Sequence, residues 1–97
     1  MADKRFSVIV DDLSYCIECG RPYPHKHEVF FGEKQRKHSI KYGMILPLCY
    51  LHHEGNDSPH HNRVIDMRYK KKAQAIWESI YGTREDFIRI FGKSYAD

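Results

Sequence analysis

Two short ligand pairs constrain this chain more than any other feature. Cys16-Ile17-Glu18-Cys19 and Cys49-Tyr50-Leu51-His52 each space two ligands by two residues, with 29 residues between the pairs. Thiolates and an imidazole in that arrangement match the closed tetrahedral zinc site that small domains use to supplement a core. Buried cysteines also occur simply as small hydrophobes, but packing does not call for this spacing twice. Gly20 allows the backbone turn that lets the first two thiolates converge. His53 competes with His52 for the fourth place; the two-residue gap after Cys49 mirrors the first knuckle and selects His52.

A metal brace also suits the size. A chain of 97 residues is one domain, and it buries only about 60–65% of its unfolded surface. Its core therefore gains from a bound ion. With 41% hydrophobic and 30% charged residues, the chain is expected to be globular. Three cysteines cannot all pair, which favours metal over disulfide. No apolar run approaches the roughly 18 residues of a membrane span. Met1-Ala2-Asp3-Lys4-Arg5 leads into no signal-peptide core, so a cytoplasmic address without a membrane partner is expected. The net charge of +3 leans towards polyanions without establishing one as a partner.

Along the chain, an α+β domain is expected. Residues 1–15 form an N-terminal arm with a strand at Phe6–Val10, closed by Asp11-Asp12. Residues 16–62 hold the knuckles and two strands: His27–Phe31, ended by Gly32, and Met44–Leu48, which Pro47 confines to an edge or strand end. Glu33–Tyr42 between them reads as a basic hairpin loop. In residues 63–97, Ile65, Tyr69, Ala73, Ile76 and Ile80 recur at helical spacing with Trp77 beside them, predicting a helix from about His61 to Tyr81. Lys70-Lys71-Lys72 falls opposite that stripe as a solvated face. Thr83 and Asp86 form a capping arrangement for a last helix, which buries Phe87, Ile88 and Phe91 before Gly92.

The zinc pairs leave His25, His27, His53, His60 and His61 unused. A lone histidine is most often solvated, but these are grouped. His53 follows the second knuckle, His60 lies across the Gly55–Pro59 loop, and His27 opens a strand. A metal held by two or three protein ligands keeps positions for water and a phosphate oxygen, as hydrolysis requires. An imidazole titrating near neutral pH can take a proton from the attacking water. One structural zinc and a separate catalytic ion are therefore expected.

The order Cys16-x2-Cys19-Gly20, a strand with His27, Leu46-Pro47-Leu48-Cys49, and His52-His53 with a histidine downstream resembles HNH nucleases of the ββα-metal (His-Me finger) superfamily. The string Cys-Gly-Arg-Pro-x-Pro-His-x-His-Glu-Val-Phe-Phe-Gly, with Arg36, Ser39–Gly43 and Pro47-Leu48-Cys49, is similar to small HNH-type phage and prophage proteins, among them the recombination-enhancement, RecA-dependent nuclease family. The likeness spans about Cys16 to Gln74. It implies a zinc-stabilised, treble-clef-like ββα-metal core and an endonuclease that hydrolyses DNA phosphodiesters in a bacterial host cell, in recombination or DNA processing. A recombinase filament is a partner by analogy, and the protein would be a monomer or homodimer.

The resemblance makes His27 the general base and His53 and His60 the ligands of a catalytic Mg, Mn, Ni or Zn ion, with His61, His25 or Glu28 as further candidates. Lys26 stands where the family often has Asp or His, and Met44 near its middle Asn; Ser39 or backbone near Gly43 is the substitute. Lys34, Arg36, Lys37 and Lys41 would contact the DNA backbone without reading sequence. Two other readings compete. One is a non-catalytic zinc-braced module binding nucleic acid or protein. The other is a phage assembly protein, which accounts for neither group of histidines.

Overall fold

Local signals and long-range packing divide the work of building this fold. The computed structural model describes residues 5–55 and 58–96. Residues 1–4 of the expected arm and Asn56-Asp57 of the Gly55–Pro59 loop lie outside the described residues. The elements run β1 (His25–Glu28), α1 (Arg36–Tyr42), β2 (Ile45–Leu48), α2 (Tyr50–Glu54), α3 (Arg63–Ile80) and α4 (Arg84–Phe91). β1 and β2 form a two-stranded antiparallel sheet, so the chain is α+β. His25 lies opposite Leu48, and His27 opposite Leu46. Pro47 pairs with Lys26, a position an edge strand tolerates because proline has no N–H to donate. Its carbonyl accepts from Ile17 N (3.0 Å), which ties the first knuckle to the sheet.

The expected N-terminal strand is not formed. Ser7 Oγ accepts from Ile9 N and Val10 N and donates to Ile45 O. A hydroxyl bonded to its own backbone competes with a sheet ladder and turns the chain. The first strand is also shorter than its apolar run: β1 ends at Glu28, and Val29 and Phe30 enter the core beyond it.

The stretch expected as a basic loop is helix α1. It presents Arg36, Lys37 and Lys41 outward and buries Ser39. Ser39 Oγ donates to Phe30 O (2.7 Å) and accepts from Phe30 N (3.0 Å), fastening α1 to the segment after β1. Gly43 ends α1 at φ 73°, and its N–H reaches Ser39 O. The Phe6 ring packs where a Cβ at Gly43 would sit, so that position requires glycine.

Asn62 caps α3 by accepting from Val64 N and Ile65 N. The buried face of α3 is Tyr69, Lys70, Ala73, Gln74 and Trp77. It is rotated from the expected stripe: Ile80 is 54% exposed, and Lys70 turns inward instead of joining a solvated face. Thr83 and Asp86 complete a capping box at α4. Phe87 and Phe91 are buried there, but Ile88 is exposed. These two rings stack (4.5 Å) and meet Phe30, Trp77 and Tyr42 in an aromatic core behind the sheet. Among the described residues, no helix is long and apolar enough to cross a membrane.

Candidate functional site

The first knuckle, the sheet, the short helix after it and the turn before α3 bring together two separate groups of side chains that could hold a metal ion. Cys16 and Cys19 come from the first knuckle. Cys49 caps α2, and His52 sits one turn further on. One ligand atom from each of the four lies within 4.8 Å of the other three. Cys19 Sγ and Cys49 Sγ are 3.6 Å apart, and Cys49 Sγ lies 3.2 Å from His52 Nδ1. Bonds of 2.3 Å to a tetrahedral zinc imply sulfur–sulfur edges of about 3.8 Å. The cluster can therefore hold a metal ion such as zinc. Burial opposes ionisation of Cys49, but hydrogen bonds from the His52 N–H and ring and from the other two thiols outweigh it. Its pKa falls to about 6, which favours the thiolate a metal needs.

His53, the next residue on α2, turns towards a second group. His27, His53 and His60 each bring a ring nitrogen within 4.8 Å of the other two. The Nε2 atoms of His53 and His60 are 3.3 Å apart, close to the edge of a tetrahedron built on metal–nitrogen bonds of about 2.0–2.1 Å. His27 is 1% exposed, and its Nε2 is buried without a hydrogen-bond partner. An orphaned imidazole nitrogen beside two others fits a cation. Burial first, then the charges of His53, His60 and Lys70, lower the His27 pKa to about 3. Burial likewise lowers His53, with His60 and His25 acting in the same direction and Glu54 and Glu28 opposing. Neutral imidazoles are the form that binds metal.

The remaining expected residues divide. His25 is not in the triad, but its Nδ1 lies 2.9 Å from His53 Nδ1. A proton shared there leaves His53 Nε2 free to face His60 and fixes the ring, as outer hydrogen bonds do for metal-bound histidines. His61 stays exposed, outside both clusters. Glu28 lies on the wall of a cavity of about 240 Å³ that also includes His27, His53, His60, Phe31, Arg36 and Glu54. Its carboxylate is held by Arg36 Nε (3.2 Å) and Arg5 (3.5 Å). Of the four expected DNA contacts, only Arg36 reaches this cavity; Lys34, Lys37 and Lys41 are exposed elsewhere on or before α1. Met44 is fully buried, and Ser39 makes the backbone bonds described above.

Lys70 is the residue that sequence patterning misplaced. Its ammonium pairs with Asp66 (2.8 Å) and sits over the Phe31 ring (4.2 Å). Phe31 in turn packs on His60 and His27, with centroids 4.9 and 5.8 Å away. A lysine inside a run of three reads as solvent-facing until the direction of the helix face is known. Compared with protein-family models, curated proteins and solved structures, the chain matches none.

Proposed function

We propose that this chain is a metal-dependent endonuclease of the HNH type, hydrolysing DNA phosphodiester bonds, with a structural zinc at Cys16, Cys19, Cys49 and His52 in a treble-clef-like core. One observation carries the proposal: His27, His53 and His60 converge on a solvent-reaching cavity walled by Glu28 and Arg36, one residue along α2 from the thiolate cluster. A binding module needs the thiolate cluster but has no use for that convergence.

His53 and His60 would hold a divalent ion, whose Lewis acidity would stabilise charge on a phosphate and its leaving oxygen. His25 keeps the His53 ring oriented through the nitrogen turned away from the cavity. His27, neutral at physiological pH, has its Nε2 lone pair available at the same point, to accept a proton from water or to serve as a third ligand. Arg36 is 64% exposed on its side chain and can reach a phosphate at the cavity mouth while Glu28 remains with Arg5. The backbone is thus gripped by charge, without base contacts.

The test compares wild type with His27→Ala and His53→Ala on supercoiled plasmid with Mg or Mn, alongside metal content. We expect nicking by wild type only, with one zinc retained in all three proteins. If His27→Ala keeps the second ion and loses nicking, His27 is the proton acceptor; if it loses both, His27 is a ligand. Unchanged nicking in His27→Ala and His53→Ala overturns the proposal and leaves a zinc-braced binding module.

A further inference from the structure

Two carboxylates border the cavity at the three histidines, Glu28 and Glu54. Their surroundings differ. Glu28 is already held by two cations, Arg36 Nε at 3.2 Å and Arg5 at 3.5 Å. Glu54 is the last residue of α2 and is exposed. Among the described residues its carboxylate makes no hydrogen bond and no ion pair. Successive helical residues point about 100° apart, so His53 and Glu54, neighbours on α2, can border one cavity. The Glu54 charge is felt at the His53 ring, where it opposes the burial that keeps that ring neutral.

We propose that Glu54 is an oxygen ligand of the divalent ion at His53 and His60, and that it turns the site towards hard ions such as Mn and Mg. This rests on the metal-dependent reading above and deepens it by naming the side chain that selects the ion. The donor types carry the selectivity. Imidazoles alone suit Ni, Cu and Zn, whereas a carboxylate suits Mg and Mn. Two histidines and one glutamate also make a donor set of catalytic metal sites, with positions left for water and substrate. Charge argues the same way. A free carboxylate on the wall of a cavity that takes a phosphate repels it. A cation between the two replaces that repulsion with two attractions.

Glu54 lies outside the group of ring nitrogens that meet within 4.8 Å, so its side chain swings in with the ion. Its place in the fold permits that movement. Gly55 follows in extended backbone (φ −78°, ψ −175°), so α2 does not continue over Glu54. No partner has to be released first. Glu28 would have to leave both Arg36 and Arg5 to do the same, and those guanidinium groups would then face the incoming cation. Of the two carboxylates, Glu54 is the one free to serve.

The experiment titrates Mn, and separately Ni, into the zinc-loaded full chain by isothermal calorimetry, without DNA and with zinc content measured before and after. Glu54→Ala changes an exposed helix end, so the fold and the zinc should be kept. It should weaken Mn binding by about tenfold or more and Ni binding by no more than about threefold. Glu28→Gln should weaken Mn binding less than Glu54→Ala does. At saturating Mn, Glu54→Ala should also speed the relaxation of water protons, because water takes the position the carboxylate leaves. Equal Mn affinities for wild type and Glu54→Ala, equal losses for Mn and Ni, or a larger loss in Glu28→Gln overturns the inference. Plasmid nicking by the same proteins separates the two proposals. Glu54-dependent Mn binding without any nicking keeps the ligand and removes the nuclease. Nicking by a protein whose Mn affinity ignores Glu54→Ala does the reverse. Failure of the wild type to bind either ion removes both.

Discussion

Lys70 and Asp66 form an ion pair almost out of water, with side chains 11% and 14% exposed. Asp66 Oδ1 has no hydrogen-bond partner, so the ammonium is its main compensation. Lys70→Met should destabilise the fold by about 2 kcal/mol, read as a lower urea midpoint at neutral pH, and Asp66→Asn added to it should restore part of the loss. No recovery in the double variant would show that the pair is not the cause. His27 makes a prediction about acid. Folded, its pKa is about 3; unfolded, it titrates near 6.5. Between those values the unfolded chain takes up a proton that the folded chain refuses, so stability rises with pH across the window and is lost as the pH falls through it. The lowered pKa of His53 acts in the same sense. His27→Leu should show a shallower dependence of the urea midpoint on pH between about 6.5 and 4. Matching slopes would mean that His27 is not a buried neutral base. None of this was legible in the sequence for Lys70, since its direction depends on how α3 seats against Phe31 and Tyr95.

Among the elements, the caps carry the clearest predictions. Asn62→Ala and Thr83→Ala should each cost about 1 kcal/mol, measured by thermal unfolding. Only Asn62 lies two residues from His60, so only Asn62→Ala should also weaken binding of a divalent ion at the histidine triad by isothermal titration. An equal effect from Thr83→Ala would dissociate the cap from the site. The Thr83–Asp86 box could be read from sequence because capping is local chemistry. α1 could not: its seven residues give no clear period, and it exists because Ser39 is buried on Phe30 and Gly43 closes its end. α2, at five residues, is too short to leave a pattern. Phe6–Val10 had the composition of a strand, and Ser7 redirected it.

For the whole molecule, the cysteine–histidine cluster reinforces a junction that the Ile17 N to Pro47 O and Tyr69 Oη to Glu18 hydrogen bonds also tie. It links the first knuckle to the end of β2 and to α2, while the aromatic core lies behind the sheet with α3 and α4. Cys49→Ser, or a strong chelator, should remove the ion and broaden the unfolding transition together, followed by calorimetry with metal analysis. A sharp transition in a metal-free variant would refute a bracing role. The clustering of Cys16, Cys19, Cys49 and His52 was legible because their spacing is written in the chain itself. The triad was partly legible: His53 and His60 from their place after the knuckle, and His27 from its strand. The outward Lys34 and Lys37 look alike in sequence to Arg36, which alone reaches the cavity.

His52 and His53 are neighbours on one short helix, yet they serve different clusters. Rotating α2 to suit an ion of another radius at the sulfurs swings the next imidazole away from His60. Cadmium in place of zinc should therefore weaken divalent-ion binding at the three histidines, read by isothermal titration, although no atom of that group belongs to the sulfur cluster.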